Sequence, residues 1–192
     1  MVSPDVPTAP PERGEERLLV AQVVAGDRGA ARALYDAHVT RVHRLAFRMC
    51  GDAELARDLT QDIFVRVFRQ LATFRGESAF GTWVHRVAVS VILNAMEKIK
   101  TLRHRETSFD EAHDQAIDDP ALNGDPHVRA RLTAALATLP DHLRLALVMH
   151  AIEGFTHAQI AAAFGIAEGT SKTRVFDARA RLRLLLADLA TD

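Results

Sequence analysis

Cysteine and aromatic side chains are scarce in this chain. Among 192 residues there is one cysteine, Cys50, which excludes an internal disulfide and any zinc site built from several thiolates. Aromatic residues amount to 6%, with a single tryptophan and a single tyrosine, so a core must come mainly from aliphatic side chains. No apolar run approaches the roughly 20 residues of a membrane span, and the N-terminus lacks the apolar stretch of a secretory signal. We therefore expect no membrane insertion and a cytoplasmic protein. A Walker loop, a dinucleotide glycine pattern, His-Glu-x-x-His and a nucleophile elbow are all missing. The nine histidines show no metal-ligand spacing. These absences point away from an enzyme and imply no cofactor and no metal. Long alternating apolar/polar runs are missing too, while Leu, Ile, Val, Ala and Phe recur at three-four spacing. The expected fold is all-α.

Net charge is also nearly absent, at −1, but its distribution is uneven. Residues 17–105 carry fifteen basic and eight acidic side chains, a balance of +7. Residues 106–127 carry seven acids and no base, and residues 128–192 return to +2. Such sign asymmetry is a partner signal.

The most informative local pattern is GFTHAQIAAAFGIAEGTSKTR, residues 154–174. Thr156 with Gln159 forms a capping-box start, Ile160, Ala161 and Phe164 supply an apolar face, and Gly165 allows a tight turn. A second helix follows, with Lys172, Arg174, Arg179, Arg181 and Arg183 opposite an apolar side of Val175, Ala178, Leu182 and Leu185. This is a helix-turn-helix with a cationic second helix, the geometry that enters a DNA major groove.

Organisation along the chain is readable from punctuation. Residues 1–14, rich in proline and charge, are expected to be disordered. A short helix over 15–25 stops at Gly26. A longer one spans 28–50 with the stripe Ala31, Leu34, Tyr35, His38, Val42, Leu45, Ala46 and Met49, which makes His38 a core residue. A third helix over 53–71 has the face Ala56, Leu59, Ile63 and Val67, and a fourth follows a loop, spanning 82–99. Residues 101–127 read as an acidic linker. Val128, Leu132, Leu136 and Leu139 mark a helix ended by Pro140, and Asp141 is placed to cap the next helix, which runs to Glu153.

Two segments of the first helical unit carry a resemblance. DLTQDIFVRVF (58–68) and FRGESAFGTWVHRVA (74–88) resemble region 2 of bacterial sigma factors, while LPDHLR (139–144) and GTSKTR (169–174) resemble region 4. Two such regions without region 3 between them is the layout of the extracytoplasmic-function group of the sigma-70 family. The resemblance covers roughly residues 15–188. It implies a region 2 four-helix domain over 15–100, a flexible acidic linker over 101–127 and a region 4 helix-turn-helix domain over 128–188. It also implies a chain that binds core RNA polymerase and promoter DNA, reading the −35 element as duplex and the −10 element as single strand. An anti-sigma factor as a further partner is implied in the same way.

By the same resemblance, Asp58, Gln61 and Asp62 grip a basic coiled coil of the polymerase largest subunit. Charge complementarity favours acids there. Phe74, Ser90 and Asn94 match positions that capture an unpaired −10 base, which needs an apolar wall and hydrogen-bonding groups for its edge. Ser90 departs from the family's asparagine, and a hydroxyl reaches less far than an amide. Trp83 is expected to anchor the core. Glu168, Gly169, Thr170, Ser171 and Lys172 open the reading helix, with Arg174, Asp177 and Arg179 beyond. Asp177 stands where a base is common, and it is expected to orient Arg174 or Arg181. The acids Glu106, Asp110, Glu111, Asp114, Asp118, Asp119 and Asp125 are expected to occupy basic surfaces of the polymerase.

Two other readings share parts of this pattern. A response-regulator-type activator would explain the helix-turn-helix but not residues 58–88. A protein of the same fold that has lost promoter reading would explain Ser90 and Asp177, but it has no reason to keep the acidic face or the basic helix.

Overall fold

The computed structural model describes residues 13–103 and 125–187, all as helices, turns and short connections. The first unit is α1 (Arg13–Val24), α2 (Arg28–Cys50), α3 (Ala53–Gln70), a 3-10 turn (Leu71–Thr73) and α4 (Phe80–Arg103). The second is α5 (Pro126–Ala137), α6 (Asp141–Leu147) continued by a π turn (Val148–Ile152), α7 (His157–Phe164) and α8 (Glu168–Leu185).

Local chemistry sets most boundaries. Asp27 and Asp52 cap α2 and α3, each carboxylate accepting two backbone N–H groups at 2.7–3.1 Å. Gly51 ends α2 at φ 74°, and Gly165 ends α7 at φ 61°, both left-handed conformations that cost a side-chain-bearing residue energy. The expected Thr156–Gln159 capping box is complete in both directions.

Some expectations shift. α1 starts at Arg13, inside the stretch expected to be disordered; the remaining residues of that stretch lie outside the described part. α4 is longer at both ends than the expected 82–99. Asp141 is not the cap of α6, since Pro140 holds that position without a side-chain bond. The Asp141 carboxylate instead accepts from Arg144 one turn on. Asp125 belongs to no free acidic strip: it caps α5 by accepting from the His127 N–H at 2.7 Å. The other six acids of that strip lie outside the described residues. On α8, Val175 and Ala178 are buried as expected, but Leu185 is 47% exposed.

The core of the first unit is mainly aliphatic, with Leu34, Met49, Ile63, Val67, Val84 and Ile92 all at 1% exposure or less and Phe80 at 2%. His38 lies within it as expected, paired with the equally buried Glu16 of α1. A second cluster gathers Leu136, Leu139, Leu143, Ala146, Leu147, Val175 and Ala178. α6 serves both clusters. Its residues from Leu143 through Met149 are all buried, because one side packs on α8 while Leu145, Val148 and Met149 join the first unit's core. A helix apolar all round is a helix covered all round.

Polar groups complete this junction. Arg144 donates to the carbonyls of Met49, at 3.1 Å, and Cys50 at the end of α2, where carbonyls lack helical partners. It also donates to Leu139 at 2.8 Å and Ala137 at 3.2 Å within its own unit. Glu153 sits between Arg48 at 2.7 Å and His85 at 2.6 Å, and His85 stacks on Phe155. Burial alone would raise the Glu153 carboxyl. The His85 hydrogen bond and the Arg48 charge outweigh it and hold that carboxyl below its ordinary value.

Candidate nucleic-acid interface

Three faces hold the candidate residues. On α3, Asp58, Gln61 and Asp62 are exposed, opposite the buried Leu59, Ile63 and Val67. Asp58 and Gln61 line a groove of about 730 Å³ between α2 and α3. Its floor includes Tyr35, Val39, Phe64 and Phe68, with Tyr35 tilted against Phe64 at 4.6 Å. Asp62 lies outside the groove lining. Val65, 43% exposed, extends the apolar surface. His43 in the same groove is held below its usual value by desolvation first and by the charge of Arg57 second. The face is therefore an apolar trough whose polar edge combines Asp58 and Gln61 with Arg57 and His43.

The second face joins the loop 74–79 to α4. Phe74 is half-buried and packs on Phe80 at 5.4 Å and Trp83 at 5.5 Å; Trp83 stacks on Phe80 at 5.7 Å. Trp83 is thus anchored to the core, as expected. Phe74, Ser78 and Phe80 help line a cavity of about 280 Å³. Ser90 and Asn94 are exposed one turn apart on α4, and Arg86, a further turn back, lies on the same face. Arg86 also donates to the Ser78 hydroxyl at 3.1 Å, tying the cavity's rim to that face. Arg86 was not among the expected site residues, although its i−4 spacing from Ser90 was the signal.

The third face is α8. Glu168, Gly169, Thr170, Lys172, Asp177 and Arg179 are exposed and Arg174 is half-buried. Ser171 is a correction. It is fully buried and sits 3.1 Å from His157 Nδ1, on the side of α8 that packs on α7. Residues 171, 175 and 178 form one inward row at helical spacing, so Ser171 cannot meet a base edge. Asp177 is a second correction: no ion pair joins it to Arg174 or Arg181 among the described residues. The ion pair actually present is Lys172–Glu168, at 2.8 Å, which lowers the Glu168 pKa. Phe176, 68% exposed, is a residue the sequence reading missed. A large aromatic left in water on the outer side of a cationic helix is the signal.

His157 stacks on His150, with centroids 4.1 Å apart, and is lowered by desolvation first, then by the charges of His150 and Lys172. No group of three or more metal-ligating residues occurs among the described residues. No helix there is long and apolar enough to cross a membrane.

Comparison with known proteins gives the family. Residues 34–101 match the family model for sigma-70 region 2, and residues 129–182 match that for sigma-70 region 4. The chain is 34% identical over 182 residues to the extracytoplasmic-function (ECF) RNA polymerase sigma factor SigM of Mycobacterium tuberculosis, covering 94% of this chain and 88% of that one. It is also 34% identical over 154 residues to the ECF sigma factor SigE of Mycolicibacterium smegmatis, covering 78% of this chain but 59% of that longer protein. Among solved structures, the sigma factor RpoE of Bartonella quintana, in complex with the anti-sigma factor NepR, aligns with a TM-score of 0.58 at 25% identity. That alignment covers 81% of this chain and 96% of RpoE. With both sigma regions in order and a relative of this similarity matched over most of its length, the chain belongs to the extracytoplasmic-function sigma factors of the sigma-70 family.

Proposed function

We propose that this sigma factor, which directs promoter-specific transcription initiation, divides the work among the three faces described above. Asp58 and Gln61 at the groove's edge, with Asp62 beside them, receive a basic helical element of core RNA polymerase, whose apolar side enters the α2–α3 groove. Arg86, Ser90 and Asn94 meet the unpaired −10 strand, and Phe74 walls the pocket for an extruded base. On α8, Glu168, Gly169, Thr170, Lys172, Asp177 and Arg179 face the −35 duplex, with Arg174 on phosphate. α8 has no side-chain cap, its N-cap being Ala167, so its first N–H groups are left for a phosphate oxygen.

The observation that carries this reading is the face of α4. Three hydrogen-bonding side chains at one-turn spacing stand outward, joined through Ser78 to an aromatic-walled cavity. That arrangement suits a single strand, which offers base edges and stacking faces together.

The chain's contribution is binding and no covalent chemistry; it acts in the cytoplasm, where polymerase and DNA are. An anti-sigma factor covering both units is its regulator, a reading supported by the complex in which its structural relative RpoE was solved. Run-off transcription with purified core polymerase on a pool of promoter fragments tests the reading. New transcripts with shared upstream elements are expected. Core binding without initiation would refute promoter reading, and duplex binding without core binding would refute the role of α3.

A further inference from the structure

The −10 pocket has a second wall that lies outside the segment matching region 2, which begins at residue 34. Besides the loop 74–79, the 280 Å³ cavity is bounded by Gly14, Glu16 and Arg17 of α1. Two residues fasten α1 there. Glu16, 5% exposed, accepts the Phe80 backbone N–H at 3.3 Å with one carboxylate oxygen, while the other lies 3.2 Å from His38 Nε2. It thus holds α1 against the first turn of α4, whose N–H groups need an outside acceptor. Arg17 donates to the carbonyl of Gly76, at the tip of the loop. Gly76 is at φ 71°, and a Cβ there would lie 2.9–3.2 Å from the guanidinium. The absence of a side chain at 76 is what lets Arg17 close on the loop.

Only part of Arg17 is used by this contact. A guanidinium carries five N–H donors in a planar fork, and Arg17 is exposed at the cavity mouth. An extruded nucleotide brings acceptors to that point, in its phosphate and on its base edge. We propose that Arg17 is a nucleotide-binding residue of the −10 pocket, fixing the loop through Gly76 and donating its remaining N–H groups to an acceptor on the captured nucleotide. Glu16 acts as its positioning residue. This inference rests on the reading of loop 74–79 as the base-capturing element.

The test uses holoenzyme assembled from core polymerase and the full chain, bound to fork-junction DNA whose −10 strand is unpaired. Arg17→Ala is expected to weaken binding to that strand about tenfold, the effect of losing a charge-assisted hydrogen bond. Its affinity for core should stay at the wild-type value, and its melting temperature should fall by no more than a few degrees, for the one exposed hydrogen bond to Gly76. Arg17→Lys should recover part of the loss, and Gly76→Ala, which displaces the guanidinium, should reproduce it. An abasic site at the captured position separates the two acceptors. Convergence of wild type and Arg17→Ala there assigns the contact to the base edge. A loss that persists, with a salt slope reduced by about one, assigns it to the phosphate. A strand affinity unchanged in Arg17→Ala but lost in Phe74→Ala overturns the role of Arg17 alone. No loss in either variant overturns the reading of the loop and the inference with it. A loss in Arg17→Ala matched by lower core affinity and melting temperature makes the residue structural, which also overturns the inference.

Discussion

The junction between the two units makes the sharpest prediction, because the docked arrangement cannot read a promoter. The −35 and −10 elements are about 25 base pairs apart, roughly 85 Å at 3.4 Å per pair. A compact chain of 192 residues has a radius of gyration of about 16 Å, a body roughly 40 Å across. The units must therefore part when both elements are engaged. The 22 residues between α4 and α5 allow it, reaching about 75 Å when extended. Parting exposes Leu145, Val148 and Met149 and separates Glu153 from Arg48 and His85.

Glu153→Gln should shift this equilibrium. The side chains of Glu153 and Arg48 are 9% and 8% exposed, so removing the carboxylate charge leaves a guanidinium buried without it. Losing this charge-assisted contact costs about 1.5–3 kcal/mol, and the low end applies because the amide oxygen still accepts one hydrogen bond. About 1.5 kcal/mol is roughly a tenfold change in the docking constant. Small-angle scattering should show the variant expanded beyond about 16 Å. Circular dichroism should show unchanged helix, and core association should be faster. Acid should act in the same direction on the wild type. The Glu153 carboxyl is depressed in the docked state, so its contribution is fully present above the ordinary carboxylate value of about 4.3. It disappears as pH falls through the lower, docked value. Glu153→Gln should lack that acid-dependent part of the expansion. An unchanged radius in the variant, with unchanged core association, would refute the argument that this carboxylate holds the units together.

Further outcomes follow from single residues. Gly51→Ala places a Cβ 2.8 Å from the Arg144 guanidinium and demands φ 74° of an alanine; thermal melting should show a loss of about 1–2 kcal/mol or more. Burial pushes the Cys50 thiol up to about 11, so at pH 8 about one molecule in a thousand holds a thiolate. Alkylation of native protein should be correspondingly slow and should accelerate on denaturation; rapid native labelling would contradict the burial. Ser171→Ala should cost about 1 kcal/mol of stability through the lost His157 contact, yet leave −35 sequence preference unchanged in binding assays. Phe176→Ala should do the reverse, weakening −35 binding by several-fold with little change in melting temperature.

What the sequence made legible was whatever is decided within one turn of chain. Gly51 and Gly165 end helices because their own backbone goes left-handed, and Thr156 starts one because Gln159 is three residues away. The stripe from Leu34 to Met49 marks a buried face for the same reason. The junction escaped because its partners are distant: Arg144 meets Met49 and Cys50 across 95 and 94 residues, and Glu153 meets Arg48 across 105. One local trace of it existed. Leu143 through Met149 carries six apolar residues in seven, too many for a helix with a solvent side, and the lone arginine among them is 3% exposed. Ser171 misled for the opposite reason. Its place in the first turn of α8 suggested a DNA-facing position, whereas the row 171, 175, 178 placed it inside. Where position along the helix and helical period disagree on α8, the period decides, because burial of one row is what holds α8 against α7 and α6. The same rule gives Phe176 its place: it falls off the inward row, so its ring is left outside.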